Sequence, residues 1–356
     1  MKQQSQTIIE TAVVDVAFGG NGVARHAGKA VFIPFTIDGE KVSARIVREK
    51  KNFAEADLAV VIEPSPHRVA SECPYFQRCG GCSYQHINYA HQLEIKHRQV
   101  EQTLRRVGRI AYVPMRAAVP SPLSYGYRNR IRVHIENGAV GFFAHGSHEL
   151  IEIESCAIAS PEVNEALRRF RGRAVFDGDY TLSENMGGRF FEQTNTAVAQ
   201  AMLAVVGGLV QPGRSLLVDA YCGAGFFAKH LSSQFEKITG IEENEHAVAH
   251  ARRDAAPHEK YLVGDVDVHL ADALACGDQS RTMLLFDPPA TGITPRTGDI
   301  ILASMPSEII YVSCNPATLA RDLAALCRTY RLDSVTPLDM FPQTAEIEVV
   351  AHLILP

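Results

Sequence analysis

The sequence lacks an apolar run long enough to cross a membrane, since a helical span requires roughly 20 consecutive apolar residues. Its first residues, MKQQSQTIIETAVVD, also lack the apolar stretch of a secretion signal. We therefore expect a cytoplasmic protein without membrane contact. In that reducing compartment the eight cysteines are better explained as metal ligands, nucleophiles or core residues than as disulfides.

A strongly positive net charge is absent as well. The formal net charge of −5 argues against a protein that coats nucleic acid indiscriminately. The charge is uneven, because the segment 96–132 contains nine Lys or Arg and one acid, and the other residues together carry −13. Such a basic run is typical of a solvated face or of a surface that binds phosphates, and the sequence leaves both readings open.

No internal repeat or low-complexity tract divides the chain, but 356 residues imply two or three domains. Residues 8–62 read as short strands with glycine turns between them, which predicts a small β-barrel. A mixed segment of helices and strands follows, and from about 191 strands alternate with helices as in a doubly wound parallel sheet. The sequence therefore predicts an α/β protein with domains 1–62, 63–190 and 191–356.

A nucleotide site is predicted where the apolar strand SLLVDA runs into the turn from Tyr221 to Gly225. Glycines there allow the backbone to approach a ligand closely. The next strand ends in Glu242, which suits a ribose diol, and the fourth ends in Asp287-Pro-Pro. Because the turn lacks the GxGxxG pattern of dinucleotide sites, S-adenosylmethionine is the favoured ligand.

A nucleophile candidate follows the next strand. Cys314 comes after EIIYVS, with Asn315 placed to cap a helix and Pro316 at its first position. A helix N-terminus favours a thiolate. Methylation of uracil at carbon 5 requires such a group, because thiolate addition at carbon 6 makes carbon 5 nucleophilic. A carboxylate would then remove the carbon 5 proton. Glu346 and Glu348 are both candidates for this base, and their spacing in the sequence does not show which of them it is.

A metal site is predicted where Cys73, Cys79 and Cys82 fall within ten residues rich in Pro and Gly. Clustered thiolates suit zinc or an iron–sulfur cluster, with a fourth ligand from elsewhere. The spacing C-x₅-C-x₂-C differs both from the paired C-x₂-C of a zinc ribbon and from the C-x₃-C-x₂-C of radical enzymes. The spacing alone therefore leaves the metal open.

Two resemblances give these motifs a context. GGNGVARHAGKAVFIPFTIDGEKVSARIV resembles a TRAM domain, an OB-like barrel attached to several RNA-modifying enzymes. The motifs RFFEQTN, DAYCGAG, GIEEN, FDPP, YVSCNPATLARDL and FPQTAEIEVV occur in the order of the bacterial RNA (uracil-5-)-methyltransferase family, which acts on 23S ribosomal RNA or tRNA. This resemblance implies a class I (Rossmann-like) methyltransferase domain, preceded by the TRAM barrel and a small α/β iron–sulfur module.

The family resemblance also implies roles for individual residues. It implies Cys314 as nucleophile and Glu348, the last residue of Thr-x-x-x-Glu, as base. It implies RNA as partner, a monomeric state, S-adenosylmethionine as methyl donor and a structural [4Fe–4S] cluster. The implied donor contacts are Gln193, Tyr221, Glu242 and Asp287, and the implied cluster ligands are Cys73, Cys79, Cys82 and Cys156.

Two departures from the family pattern keep alternatives open. Glu346 stands where a histidine is usual, and Ala290 stands where the family tends to have an arginine. One alternative is an RNA-binding homologue without turnover. Another is an RNA methyltransferase with a different target atom, such as a base amino group, although that reaction requires no cysteine. Methylation of cytosine at carbon 5 would require a second cysteine beside the Pro motif, which is absent here.

Overall fold

A computed structural model describes residues 7–172, 176–184 and 193–356, which form two compact units. Unit 1 comprises the described residues of Met1–Gln99, Leu123–Glu184 and Phe341–Glu346. Unit 2 comprises the described residues of Val100–Pro122, Asn185–Met340 and Ile347–Pro356. Because each unit combines separate stretches of chain, the three-domain division predicted from the sequence stays a prediction.

The first part of unit 1 is a closed five-stranded barrel with the order β1-β2-β3-β5-β4. Its strands are β1 (Ile8–Val16), β2 (Asn21–His26), β3 (Lys29–Pro34), β4 (Lys41–Glu49) and β5 (Phe53–Glu63). Buried aliphatic side chains such as Ile9, Val31 and Ile33 fill it. The predicted barrel is confirmed. The sequence did not predict β2, because its residues NGVARH include a single β-branched side chain.

The second part of unit 1 is an antiparallel sheet with the order β8-β7-β6-β9. Its strands are β6 (Arg130–Glu136), β7 (Ala139–Phe143), β8 (Leu150–Glu152) and β9 (Gly178–Ser183). The buried face of β6 carries Ile131, Val133 and Ile135, which share a core with Val163 and Leu167. The last two belong to α2 (Pro161–Arg171). An earlier helix, α1 (Tyr89–Arg106), has residues in both units.

Unit 2 contains a seven-stranded sheet with the order β12-β11-β10-β13-β14-β16-β15. The strands are β10 (Leu216–Ala220), β11 (Lys237–Glu242), β12 (Glu259–Val263), β13 (Thr282–Phe286), β14 (Glu308–Ser313), β15 (Arg331–Leu338) and β16 (Glu348–Ile354). The helices are α3 (Thr196–Leu209), α4 (Phe226–Leu231), α5 (Glu245–Arg253), α6 (Val266–Leu274), α7 (Pro295–Ser304) and α8 (Pro316–Leu326). The predicted alternation of strands and helices is confirmed.

The strand order of unit 2 determines where a ligand fits. β10 to β14 are parallel, whereas β16 is antiparallel to both β14 and β15. Every residue of β10, β13 and β14 is buried, as in parallel strands covered on both faces. The order reverses at β10, and ligands of such sheets bind at the carboxyl ends of the strands beside this point. No helix in the described ranges is long and apolar enough to span a membrane.

Candidate active site

Four of the predicted site residues follow parallel strands that end at the same edge of the unit 2 sheet. Tyr221 follows β10, Glu242 ends β11, Asp287 follows β13 and Cys314 follows β14. Because the carboxyl ends of neighbouring parallel strands lie side by side, the sheet gathers these residues along one edge. The prediction that strand ends form the site is consistent with this topology, and the role of each residue stays a prediction.

The turn between β10 and α4 is tightly constrained. Tyr221 has a φ of 62°, and Gly223 and Gly225 have φ values of 55° and 82°. A left-handed conformation is costly for a tyrosine and is typical of strained functional turns. Glu242 supports the turn, because its Oε2 accepts a hydrogen bond from the Gly223 backbone N–H at 3.0 Å. Its Oε1 accepts another from the Asn244 N–H at 2.7 Å, which leaves carboxylate lone pairs for a ligand hydroxyl.

Three carboxylates, Asp219, Glu242 and Asp287, form what we call the acidic cluster. Asp219 is 1% exposed, and its Oδ2 accepts a hydrogen bond from the Ala228 N–H at 3.0 Å. Its Oδ1 has no hydrogen-bond partner in the described part of the chain. Burial, together with the nearby charges of Asp287 and Glu242, raises the pKa of Asp219 to about 8.

Burial also raises the pKa of Asp287. None of the ion pairs found among residues 7–172, 176–184 and 193–356 includes a member of the acidic cluster. Buried carboxylates without a cation are costly, so this edge of the sheet suits a ligand that carries positive charge. Sequence reasoning missed Asp219, although an acid within an apolar strand just before a glycine turn was a usable signal.

Tyr221 lies near side chains of the loops that follow β12 and β13. Burial raises the pKa of Tyr221, and the neighbouring Thr297 side chain opposes this rise. Thr297 at the start of α7 donates to Asp267 at the start of α6, and Thr294 donates to the same carboxylate at 2.8 Å. The loops after β12 and β13 are therefore joined by hydrogen bonds that the sequence did not reveal.

Cys314 lies between β14 and α8 and is partly buried. Asn315 caps α8, since its Oδ1 accepts a hydrogen bond from the Ala317 N–H at 3.0 Å. The predicted cap and the helix start at Pro316 are confirmed. The thiol is therefore at the N-terminal end of an 11-residue helix, where backbone N–H groups and the helix dipole favour an anion.

Glu348 is the first residue of β16 and is 3% exposed. In the antiparallel pairing of β14 with β16, Ser313 lies opposite Val349. Cys314 and Glu348 are the residues next to this last pair, and Cys314 itself lies in the bend that follows β14. Glu346, the other candidate base, is exposed and belongs to unit 1. Strand pairing thus brings the predicted nucleophile and the predicted base together.

Gln193 is partly buried and lies three residues before α3. Asn195 caps that helix and donates from Nδ2 to Ser121 Oγ at 3.0 Å. The first part of its motif, residues 189–192, lies outside the described residues. The contact of Gln193 with the methyl donor stays a prediction.

The four predicted metal ligands lie in unit 1, where Cys73, Cys79, Cys82 and Cys156 line one pocket of about 200 Å³. We call it the cysteine pocket. Burial raises the pKa of Cys79 to about 11 and that of Cys82 to about 12. The loop of the first three cysteines is held to β7, because the Gly80 N–H donates to the Phe143 carbonyl at 2.9 Å.

The cysteine pocket differs from a site that holds a single metal ion. Within the described ranges, no group of three or more His, Cys, Asp or Glu side chains is arranged to hold one metal ion. The four thiol sulfurs are therefore not arranged around the position of one metal ion. A [4Fe–4S] cube binds each thiolate to a different iron, so its ligands surround a volume instead. The residues of the cysteine pocket fit that requirement in number and type.

Basic side chains at the start of the segment 96–132 form hydrogen bonds and ion pairs within the protein. Lys96 is buried and donates from Nζ to the Phe341 carbonyl at 3.0 Å. Arg98 pairs with Asp15 and Asp38 at 3.3 and 3.2 Å. The interpretation of the whole run as one phosphate-binding surface is therefore wrong for its first residues.

Comparisons with known proteins agree with these features. Residues 6–59 match the TRAM domain model, and residues 268–354 match the model described as tRNA (Uracil-5-)-methyltransferase. An uncharacterized RNA methyltransferase from Bdellovibrio bacteriovorus is 33% identical over 97% of this chain and 94% of its own length. One from Nostoc sp. is 29% identical over 98% of this chain and 96% of its own.

A solved structure is similar over nearly the whole chain. It is the Pyrococcus abyssi tRNA (uracil-54, C5)-methyltransferase in complex with S-adenosyl-L-homocysteine, which is 25% identical with a TM-score of 0.72. The match covers 97% of this chain and 100% of the other. The similarity therefore extends over both units.

Proposed function

The chain belongs to the RNA (uracil-5-)-methyltransferase family, and from this premise we propose that it methylates carbon 5 of one uridine in RNA through a covalent cysteine adduct. The observation that carries the proposal is the antiparallel pairing of β14 with β16, in which the last recorded partners, Ser313 and Val349, are the neighbours of Cys314 and Glu348. Both residues lie at the edge of the sheet that carries the acidic cluster. The proposed nucleophile, the proposed base and the proposed donor site thus share one edge of the sheet.

In the proposed reaction, the Cys314 thiolate forms a bond to carbon 6 of the uracil ring, and the electron pair moves toward carbon 5 as an enolate. S-adenosylmethionine supplies an electrophilic methyl group when bound, which carbon 5 accepts. Glu348 then takes the proton from carbon 5. The electron pair of that bond restores the ring double bond, and the Cys314 sulfur leaves as thiolate. The base must be unprotonated and within hydrogen-bond reach of that proton, and the position of Glu348 at the start of β16, next to the end of β14, supports the second requirement.

The methyl donor is proposed to lie across the carboxyl ends of β10, β11 and β13. Glu242 accepts hydrogen bonds from the ribose hydroxyls, and Tyr221 contacts the nucleoside. Asp287 and Gln193 contact the remaining polar groups of the donor. The acidic cluster supplies negative charge for a positively charged donor. Asp219 is an addition to the residues predicted from the sequence.

The RNA is proposed to be 23S ribosomal RNA or tRNA. The TRAM match to the barrel supports an RNA substrate, and the Pyrococcus enzyme of similar structure is by its description a tRNA methyltransferase. We expect methyl incorporation into one of these two RNAs in vitro and not into both.

The test of the mechanism uses RNA that carries 5-fluorouridine at the target site. Fluorine cannot leave as a proton does, so methylation should stop at a denaturation-resistant adduct of protein and RNA. Cys314→Ala should abolish both the adduct and methyl transfer. Normal methylation by Cys314→Ala would refute the mechanism. Absence of adduct and methylation in the unaltered protein, with RNA still bound, would favour an RNA-binding homologue without turnover.

Glu348→Gln tests the base separately. Loss of general-base catalysis should lower turnover by roughly 10²–10⁴, and the adduct should then accumulate on ordinary uridine. Glu346→Gln is the matched control, because Glu346 is an exposed glutamate two residues away. Accumulation of the adduct in the control instead of in Glu348→Gln would reverse the assignment.

The cysteine pocket is proposed to hold a [4Fe–4S] cluster. Cys73, Cys79, Cys82 and Cys156 would each bind one iron, which would link the loop 73–82 to the segment around Cys156 and stabilise unit 1. Anaerobically purified protein should contain about four iron atoms and matching sulfide per chain. Cys156→Ser should lose iron and soluble yield together, because metal binding is coupled to folding. Cys276→Ser, which alters an exposed cysteine, should lose neither, and stoichiometric zinc without sulfide would refute the cluster.

A further inference from the structure

Two side chains from the segment after Cys314 reach the same carbonyl group on the loop after Asp287. Asn315 donates from Nδ2 to the Ala290 carbonyl at 3.2 Å. The Thr318 hydroxyl lies 3.0 Å from the same oxygen, and 3.1 Å from the Asn315 carbonyl, so that its proton is shared. We call Ala290, Asn315 and Thr318 the Ala290 clamp.

The orientation of the Asn315 amide follows from its two partners. Its Oδ1 faces the Ala317 N–H, which can only donate, and its Nδ2 faces the Ala290 carbonyl, which can only accept. One side chain therefore caps α8 and holds the neighbouring loop. Serine would keep the cap, but its single short hydroxyl cannot serve both partners at once.

The far end of the loop is anchored by other residues. Arg321 donates to the Thr291 carbonyl at 2.9 Å, and Asp322 accepts from the Ile293 N–H at 3.1 Å. Gly292 has a φ of 77°, and a Cβ there would lie 2.4 Å from Asp322 Oδ2. Because these contacts do not involve the Ala290 clamp, loss of the clamp should leave the loop attached and affect mainly its end nearest Cys314.

We propose that Asn315, assisted by Thr318, is a positioning residue that sets the distance between the Cys314 sulfur and the methyl donor. This rests on the proposed function. Cys314 precedes Asn315 in the chain, and Ala290 lies three residues after Asp287, a proposed donor contact. The clamp is thus a direct connection between the segment that carries the nucleophile and the segment that binds the donor.

Single-turnover methyl transfer measures this role. Thr318→Val removes a hydroxyl donor without changing side-chain shape, and Asn315→Ser keeps the cap while releasing Ala290. Each should slow transfer about ten- to a hundredfold, because misplacing reacting groups by ~1 Å is costly. Equilibrium affinities for S-adenosylmethionine and RNA should stay unchanged. The conservative variant Thr318→Ser, which keeps a hydroxyl at this position, should transfer methyl groups at the unaltered rate.

Tyr330→Phe is the matched control. The buried Tyr330 hydroxyl also donates to a backbone carbonyl, that of Pro306, at 2.9 Å, but at the opposite end of the sheet. The Tyr330→Phe variant should therefore transfer methyl groups at the unaltered rate. Normal transfer by both clamp variants, or an equal loss in Tyr330→Phe, would overturn the positioning role. Failure of the unaltered protein to form the 5-fluorouridine adduct would refute the proposed function itself, and the positioning role with it.

Discussion

The two ends of the unit 2 sheet handle buried charge in opposite ways. At the amino end, Glu308 is fully buried and is paired with Arg214 at 2.7 Å and with His352 at 2.7 Å. At the carboxyl end, the carboxylates of the acidic cluster lie near one another, and no ion pair of theirs occurs in the described ranges. The amino end satisfies its charge within the protein, whereas the carboxyl end leaves its carboxyl groups without cations, and the pKa values of Asp219 and Asp287 are raised.

This difference separates structural acids from acids suited to binding. A buried carboxylate is tolerated when cations and N–H groups compensate its desolvation. Glu308 meets this condition, because the Gln211 N–H also donates to it at 3.2 Å. Asp219 does not, and its raised pKa is the consequence. A ligand with positive charge would supply the missing compensation.

The largest effect on stability is expected at the amino end. Glu308→Ala leaves Arg214 without its carboxylate partner, and removing one partner of a buried pair costs about 3–5 kcal/mol. Urea unfolding of the apo protein measures this loss. Glu236→Ala is the control, since Glu236 forms an exposed pair with Arg281 at the same end of the sheet and such pairs contribute little. Equal losses in the two variants would contradict the comparison.

Asp219→Asn should have an effect that depends on pH. The folded-state pKa of about 8 lies above the ordinary value of 3.8, so folding favours the protonated form. The stability that this protonation contributes is fully present below about pH 3.8 and is lost as the pH rises towards 8. Relative to the unaltered protein, Asp219→Asn should therefore gain stability from pH 5 to pH 8. If the difference in stability between the two proteins does not change with pH, the folded protein does not hold a proton on Asp219 in this range.

The smallest effect concerns donor affinity. If binding of a cation displaces a proton from the acidic cluster, S-adenosylmethionine should bind more tightly as the pH rises from 6 to 8, by at most about tenfold per pH unit for one proton. Asp219→Asn should reduce this dependence. S-adenosylhomocysteine, which lacks the sulfonium charge, should show less of it in calorimetry. If the affinities of both ligands change equally with pH, the sulfonium charge does not displace a proton from the acidic cluster.

The strands of the sheet were predictable because their apolar runs end at acids or turns. β14 has the bounds of the predicted strand EIIYVS, β11 ends at Glu242 as predicted, and the strand-end rule for parallel sheets selected Glu242, Asp287 and Cys314. β9 was missed, because GDYTLS contains one β-branched residue and begins with glycine.

Contacts between segments distant in sequence were not predictable. Ala290 and Thr318 are 28 residues apart, and no local pattern indicates that one binds the other. Lys96 belongs to a basic run, yet it is buried against the Phe341 carbonyl 245 residues away. Side-chain destination depends on tertiary packing, which composition and spacing do not encode.

The placement of β16 has a consequence for the assembly of the sheet. β16 follows β15 in the sequence but is inserted between β14 and β15 in the sheet. β15 therefore joins the sheet only through β16. A chain that lacked β16 would keep Cys314 and the turn after β10 but would lack Glu348, the proposed base. Removal of β16 should therefore detach β15 from the sheet and remove the proposed base in one step.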